Sequence, residues 1–327
     1  MPEVYGNNPQ IVIDIMKQRK SGGITSSERK IGLIVEGGGM RGVLSAGSLL
    51  AIDLMGFRGV FDQVYATSAG GVNAAYFLSG QGKLGISVYF EDINNSKFIN
   101  FYRISKIVDI DYVYDYVVTK VKPLDQSAIY NCKTDFFLSA TDCEMGKSTL
   151  FDVKNMDTPV NKLLKASSAL PVFYNRTIRI NNNHYIDGGL AQTIPINEAI
   201  ENGCTDILVL LTKLPDRYKH SPPLWMKLLF YFMIGRKFPK LQSIYGNNYE
   251  KENEDKKKVI FVNKIDKEIN IATICPSVDE LNVNRLTTDK NKLISGAYSM
   301  SAKTYKIFSM DEANLESIYN KEFIYKQ

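Results

Sequence analysis

The chain has 327 residues, 44% of them apolar and 23% charged, and carries a net charge of +5. That length can bury a large core in one sizeable domain or in a domain with an appendage, and the balance is that of an ordinary soluble globular protein. The charge is mild, favouring anionic surfaces slightly and giving no argument for nucleic acid.

The first ten residues are polar, and Ile11-Val12-Ile13-Asp14-Ile15-Met16 is too short and too interrupted for the apolar core of a signal peptide. No apolar run approaches the ~20 residues a membrane helix needs, so the cytoplasm is the expected compartment. Residues 20–30 form a polar Gly/Ser-rich leader. A buried strand follows at Ile31-Gly32-Leu33-Ile34-Val35 and ends in three glycines. Beyond Arg41, Val43, Leu44, Ala46, Leu49, Leu50 and Leu54 are spaced as on a helix that closes near Gly56. Residues 60–66 repeat the pattern as a strand, Thr67-Ser68 as a turn and residues 69–80 as a small-residue helix. Strand, tight turn and helix twice in succession predict parallel α/β architecture.

Residues 83–130 are aromatic-rich and read as helices or a cap, with Phe98 to Tyr116 serving as core or as lining for an apolar pocket. Strands are expected at 135–140 and 148–151 around a Met145-Gly146-Lys147 turn. Further strands are expected at 177–180 and at 184–186 leading into Asp187. Residues 207–211 are fully apolar and read as a strand inside the sheet. After Pro215 the composition changes. Leu224-Trp225-Met226-Lys227-Leu228-Leu229-Phe230-Tyr231-Phe232-Met233-Ile234 is the most apolar stretch, followed by a charged helix over 249–258, a last strand at 259–262 and a final helix from Asp289.

The four cysteines (Cys132, Cys143, Cys204, Cys275) lack Cys-x-x-Cys spacing and read as reduced thiols. With only His184 and His220 available, a His-rich zinc site is excluded. No metal and no cofactor are expected, nor calcium dependence.

Three short segments carry chemistry. Gly37-Gly38-Gly39-Met40-Arg41-Gly42 joins a strand to a helix start, where uncovered N–H groups and the helix dipole favour an anion. It suits an oxyanion hole, another anion site or a packing turn. It is neither the dinucleotide fingerprint nor a phosphate-binding NTPase loop. In Ala66-Thr67-Ser68-Ala69-Gly70, Ser68 sits between strand and helix among small neighbours, as a nucleophile elbow requires; an N-cap serine is the competing reading. Ala66 stands where such an elbow usually has glycine. Asp187-Gly188-Gly189 supplies a carboxylate that could serve Ser68 as base, or an ordinary turn. His184, on the opposite face of an extended strand, reads as a surface or packing residue.

In this order the three segments resemble the patatin-like phospholipase family, with its Gly-Gly-Gly-x-Arg-Gly loop, Gly-x-Ser-x-Gly elbow and Asp-Gly-Gly or Asp-Gly-Ala. Residues 165–173 (Lys165-Ala166-Ser167-Ser168-Ala169-Leu170-Pro171-Val172-Phe173) resemble a further block of such proteins. The likeness runs over roughly residues 30–211 and implies a three-layer α/β/α fold with a mostly parallel central sheet and a C-terminal α+β extension. It divides the chain into a leader (1–29), a catalytic domain (30–215) and an extension (216–327). It further implies a Ser–Asp dyad that hydrolyses fatty-acyl esters of lipids through an acyl-enzyme. Ser68 would be nucleophile, Asp187 base, and Gly37, Gly38, Gly39, Arg41 and Gly42 the oxyanion region, with Ala66, Ala69 and Gly70 shaping the elbow. Residues 224–234 read either as a buried helix or lid, or as an element that dips into a lipid surface while Lys227, Arg236 and Lys237 meet headgroups. The alternatives are a catalytically silent lipid- or anion-binding module and a soluble short-chain esterase or thioesterase.

Overall fold

The computed structural model describes residues 4–262, 268–278 and 282–324. Its strands are β1 (Val4–Tyr5), β2 (Ile31–Val35), β3 (Gln63–Thr67), β4 (Asp135–Asp142), β5 (Lys147–Asp152), β6 (Ile178–Ile180), β7 (Asn183–Asp187), β8 (Asp206–Leu210) and β9 (Asn270–Ile274). They form one sheet in the order β1-β9-β8-β2-β3-β4-β7-β6, with β5 on the other edge of β4. The run β9, β8, β2, β3, β4 is parallel throughout, and β1, β5, β6 and β7 pair antiparallel.

The helices are α1 (Pro9–Lys20), α2 (Gly42–Leu54), α3 (Ala69–Leu78), α4 (Gly82–Ser87), α5 (Gln126–Asn131), α6 (Val160–Ser167), α7 (Ile196–Glu201), α8 (Leu224–Phe230), α9 (Pro239–Ile244), α10 (Tyr249–Phe261), α11 (Lys290–Ile307) and α12 (Ala313–Tyr319). Side chains alternate across a strand, so a sheet buried on both faces needs apolar residues at every position. The parallel strands meet that demand. Leu33, Val35, Val64, Ala66, Leu208 and Leu210 pack on one side with residues of α1, α2, α3 and α11. Ile34, Tyr65, Ile207 and Val209 pack on the other with Ile196, Ala199, Val259 and Ile260 of α7 and α10. The result is a mixed α/β fold with a mostly parallel central sheet between helical layers, as expected.

Three elements depart from the sequence reading. Residues 259–261 close α10 and are not a strand. The buried Glu252, Asp255, Lys256, Val259 and Ile260 recur at helical spacing, and the last parallel strand is β9 instead. Residues 11–16, inside the stretch read as a leader (1–29), belong to α1, whose Val12, Ile13 and Met16 are buried against the sheet. In residues 224–234 only Phe230 and Ile234 are buried, while Leu224, Trp225, Leu228 and Phe232 are 72%, 64%, 51% and 69% exposed, so this stretch is not a buried helix.

Candidate active site

Strand β4 brings the key residues together. Its first half pairs with β3, which runs parallel and ends with Thr67 opposite Ser139. Its second half pairs with β7, which runs antiparallel and ends with Asp187 opposite Ala140. Strand β5 covers residues 137–142 of β4 along one edge, so β3 and β7 share the other edge and meet end to end. Ser68, one residue past β3, therefore faces the last residue of β7. Its hydroxyl donates to Asp187 Oδ2 at 2.6 Å.

The Ser68 turn is tight and anchored. Its backbone adopts φ 55°, ψ −128°, a region that favours glycine. The Ser68 N–H donates to Ser167 Oγ at 2.9 Å, and that hydroxyl donates to the Ser139 carbonyl at 2.6 Å. Ser68 makes no side-chain bond to the start of α3, so the N-cap reading does not hold. Ala66 stands one position inside β3 with ordinary strand pairing, and alanine there costs the turn nothing. A Cβ on Gly70 would lie 2.3 Å from the Val35 carbonyl, so glycine is required for α3 to start this close to β2.

Asp187 is buried. Its Oδ1 accepts from Gly189 N–H at 2.7 Å while Oδ2 accepts from Ser68. Burial raises its carboxyl above the ordinary range, against the pull of those two hydrogen bonds and of the Arg285 and Lys219 cations. A carboxylate placed this way is a better proton acceptor than one in water. His184 is held elsewhere, its Nδ1 2.7 Å from Glu144 and its ring beside Phe238.

Gly37, Gly38 and Gly39 line the same cavity as Ser68 and Asp187. Gly39 has φ 59°, and a Cβ on Gly37 would lie 2.5 Å from the Thr67 carbonyl, so the loop lies against the serine turn. Arg41 and Gly42 are not at the cavity wall. Gly42 is a spacer, because a Cβ there would lie 2.4 Å from the Tyr89 hydroxyl and 2.9 Å from Ala69 Cβ. Arg41 is buried near Glu36, its Nε and Nη2 without hydrogen-bond partners. Burial and the neighbouring Arg285 cation push its pKa down to about 10, so it stays charged at neutral pH.

The cavity measures about 530 Å³ and is mostly apolar, within the range of small-molecule pockets. Val88, Tyr89, Ile93, Phe98, Val108 and Ile110 line it from the aromatic-rich segment, and Met226, Ile244 and Tyr245 from the C-terminal part. The sequence reading assigned no individual role to three groups. Ser167 steadies the serine turn, and the Tyr114 hydroxyl lies 2.6 Å from Ser168 Oγ in the cavity wall. Lys213, Lys219, Glu252 and Arg285 add charge at the wall. The segment 165–173, noted for its resemblance to a further block of the family, is the one signal that pointed toward Ser167 and Ser168. Among the described residues no cluster of three or more His, Cys, Asp or Glu side chains is placed to hold a metal ion, and none of the four cysteines is in a disulfide.

The family described as patatin-like phospholipase matches residues 33–200, and the chain belongs to it. A 205-residue stretch is 28% identical to the protein YjjU of Escherichia coli K12, covering 61% of this chain and 56% of that one. The chain thus spans little more than half the length of that relative. Among solved structures, VipD from Legionella pneumophila aligns over 86% of this chain and 67% of its own at 11% identity, with a TM-score of 0.47. Full-length ExoU from the type III secretion system of Pseudomonas aeruginosa, solved in complex with SpcU, aligns over 85% of this chain and 59% of its own. Its identity is 12% and its TM-score 0.31.

Proposed function

We propose that the chain is a serine acyl hydrolase that cleaves fatty-acyl esters of lipids. The 2.6 Å hydrogen bond from Ser68 to a buried, base-shifted Asp187 at the wall of an apolar cavity carries the reading. Asp187 takes the Ser68 proton as Oγ bonds to the ester carbonyl carbon, and the carbonyl electrons move onto oxygen. The N–H groups of Gly38 and Gly39 are the candidate donors to that oxyanion, each worth about 10²–10³ in rate. Collapse breaks the bond to the alcohol oxygen, which leaves with the proton from Asp187. Water then attacks the acyl-enzyme, gives its proton to Asp187, and returns Ser68 as the fatty acid departs. An alkoxide leaves with less acid assistance than an amide nitrogen, so a dyad without histidine suits esters.

The exposed side chains of residues 224–232 support contact with a lipid surface. Met226 lines the cavity on the same helix, and Arg236, Lys237 and Lys240 flank the patch. No helix among the described residues is long and apolar enough to cross a membrane.

A fluorophosphonate probe with mass mapping, run beside p-nitrophenyl esters of increasing acyl length, tests the hydrolase. The expected result is a label on Ser68, turnover that favours long acyl chains, and loss of both in Ser68→Ala. A folded protein with neither label nor turnover overturns the reading in favour of a silent binding module. A preference for short acyl chains would make it a soluble esterase.

A further inference from the structure

The glycine loop is held from behind by a residue outside the family-matched segment. Val35 closes β2 opposite Leu210 of β8 on one side and Ala66 of β3 on the other. Two residues further along each chain, Gly37 therefore stands between Thr212 and Ser68. The contacts agree with that row. A Cβ on Gly37 would lie 2.8 Å from Ser68 Cβ, and on the β8 side Thr212 Oγ1 donates to the Gly37 carbonyl at 2.6 Å. Thr212 is fully buried, and the wall of the cavity does not include it.

That hydrogen bond orients a peptide unit. A trans peptide is planar, with its carbonyl and N–H pointing in opposite directions. A Gly37 carbonyl turned toward β8 therefore turns the Gly38 N–H toward β3, the side on which Ser68 stands. Two further donors of the loop are spent, Met40 N–H on the Arg285 carbonyl and Arg41 N–H on the Gly38 carbonyl; among the described residues Gly38 N–H has no such acceptor. Thr212 is itself fixed. Its N–H donates to Glu36 Oε2 at 2.7 Å, and the other oxygen of Glu36 pairs with Lys213 at 3.0 Å. Thr212 Oγ1 also lies 3.0 Å from Glu36 Oε2, but a hydroxyl has one proton and the nearer Gly37 carbonyl takes it. The peptide between Gly37 and Gly38 has no side chain on either flank, so the loop alone does not keep it from turning over. Turned over, it would present a carbonyl oxygen to the developing oxyanion in place of a donor.

We propose that Thr212 is a positioning residue for the oxyanion donor: its hydroxyl holds the Gly37 carbonyl away from Ser68, so that the Gly38 N–H faces the ester oxygen as it gains charge. The proposal rests on the hydrolase reading above and gives Thr212 no contact with substrate. Its effect falls on the transition state, because a ground-state ester gains little from a donor placed for the oxyanion.

Two substitutions separate the hydroxyl from the packing. Thr212→Val keeps the shape and removes the donor, whereas Thr212→Ser keeps the donor and removes a methyl. On a long-chain p-nitrophenyl ester, Thr212→Val should lose about 10²-fold or more in kcat with KM within about twofold of native, and Thr212→Ser should recover most of that rate. A role in packing alone predicts the reverse order. A long-chain alkyl trifluoromethyl ketone reads the oxyanion directly. Ser68 Oγ bonds to its carbonyl carbon, the Ser68 proton passes to Asp187, and the carbonyl electrons move onto the oxygen. Its inhibition constant should rise by about tenfold or more in Thr212→Val, while that of the corresponding alcohol, which forms no adduct, stays the same. Equal kcat in the native protein and Thr212→Val, or a Thr212→Ser variant as slow as Thr212→Val, overturns the proposal and leaves the hydrolase standing. Should Thr212→Val fail to fold, Thr212→Ser and Thr212→Ala isolate the hydroxyl in the same way, since both lack the methyl; Thr212→Ala should be far slower, and equal kcat in those two overturns the proposal. A native protein with neither label nor turnover overturns the hydrolase and the role of Thr212 with it.

Discussion

Ser68 holds backbone angles that cost a residue with a side chain about 1–3 kcal/mol, and three contacts keep it there: the Ser167 hydroxyl, the Asp187 carboxylate and the start of α3. Glycine adopts those angles freely. Ser68→Gly is therefore expected to lose the fluorophosphonate label while keeping or raising the melting temperature, and a fall of several degrees would argue against a strained turn. Asp187 predicts the pH behaviour. It must be ionised to accept the serine proton, and burial raises its pKa, so the acid limb of kcat/KM should lie above the ordinary carboxylate range. The Arg285 and Lys219 charges oppose that rise, and Arg285→Gln should move the limb further up. The stability sign follows from the same shift. A raised folded-state pKa contributes stability below the unfolded value and loses it as pH rises through the folded one. The melting temperature of Asp187→Asn relative to the native protein should thus be more favourable at pH 7 than at pH 4. At this scale Ser68, Asp187 and the glycine loop were legible because local sequence grammar sets each of them. Ser167, Lys219 and Arg285 carry no local signal of their place: Ser167 reaches Ser68 across 99 residues, Lys219 reaches Gly189 across 30, and Arg285 touches the glycine loop from far along the chain.

Among the elements, β3, the Ser68 turn and α3 could be read because strand period, small residues and helix period succeed one another without conflict. Helix α10 defeated the same reasoning. Val259-Ile260-Phe261-Val262 is a short β-branched and aromatic run, and such a run cannot be told from a strand by composition; Val259 and Ile260 are buried because α10 packs on β8 and β9, while Phe261 is exposed. Helix α8 is the opposite case, apolar except for Lys227 but covered on one side only. Trp225 and Phe232 together expose large apolar surface beside Lys227 and the cations of 236–240, and burying one such side chain contributes about 1.5–3 kcal/mol. Trp225→Ser/Phe232→Ser should lower partitioning onto anionic vesicles at least tenfold in a flotation assay, with the circular dichroism spectrum unchanged. Equal flotation of the variant and the native protein would show that this patch does not meet lipid.

For the whole molecule, the sequence reading divides the chain at residues 29 and 215, but the sheet crosses both divisions. Strand β9 extends the sheet beside β8, and β1 from the N-terminal stretch caps β9 antiparallel. Helix α11 lies along α2 so closely that a Cβ on Gly47 would fall 2.3 Å from the Ala297 carbonyl, and Ser301 Oγ donates to the Gly47 carbonyl at 2.7 Å. Because α2 begins at the glycine loop, the C-terminal part sets the position of that loop as well as supplying Lys219 and Arg285 to the cavity wall. Gly47→Ala must push the two helices apart, and overpacking of that kind costs about 1–3 kcal/mol. We expect a lower urea midpoint and a slower fluorophosphonate labelling rate at Ser68, since the loop moves with its helix. A chain ending at residue 215 would leave the outer edge of β8 unpaired and the α11-facing side of α2 bare, including Leu44, which packs against Gly296. That fragment should unfold without a cooperative transition and resist no protease. A sharp transition from it, with Ser68 still labelled, would mean that the matched segment folds alone and that residues beyond 215 tune the site without building it.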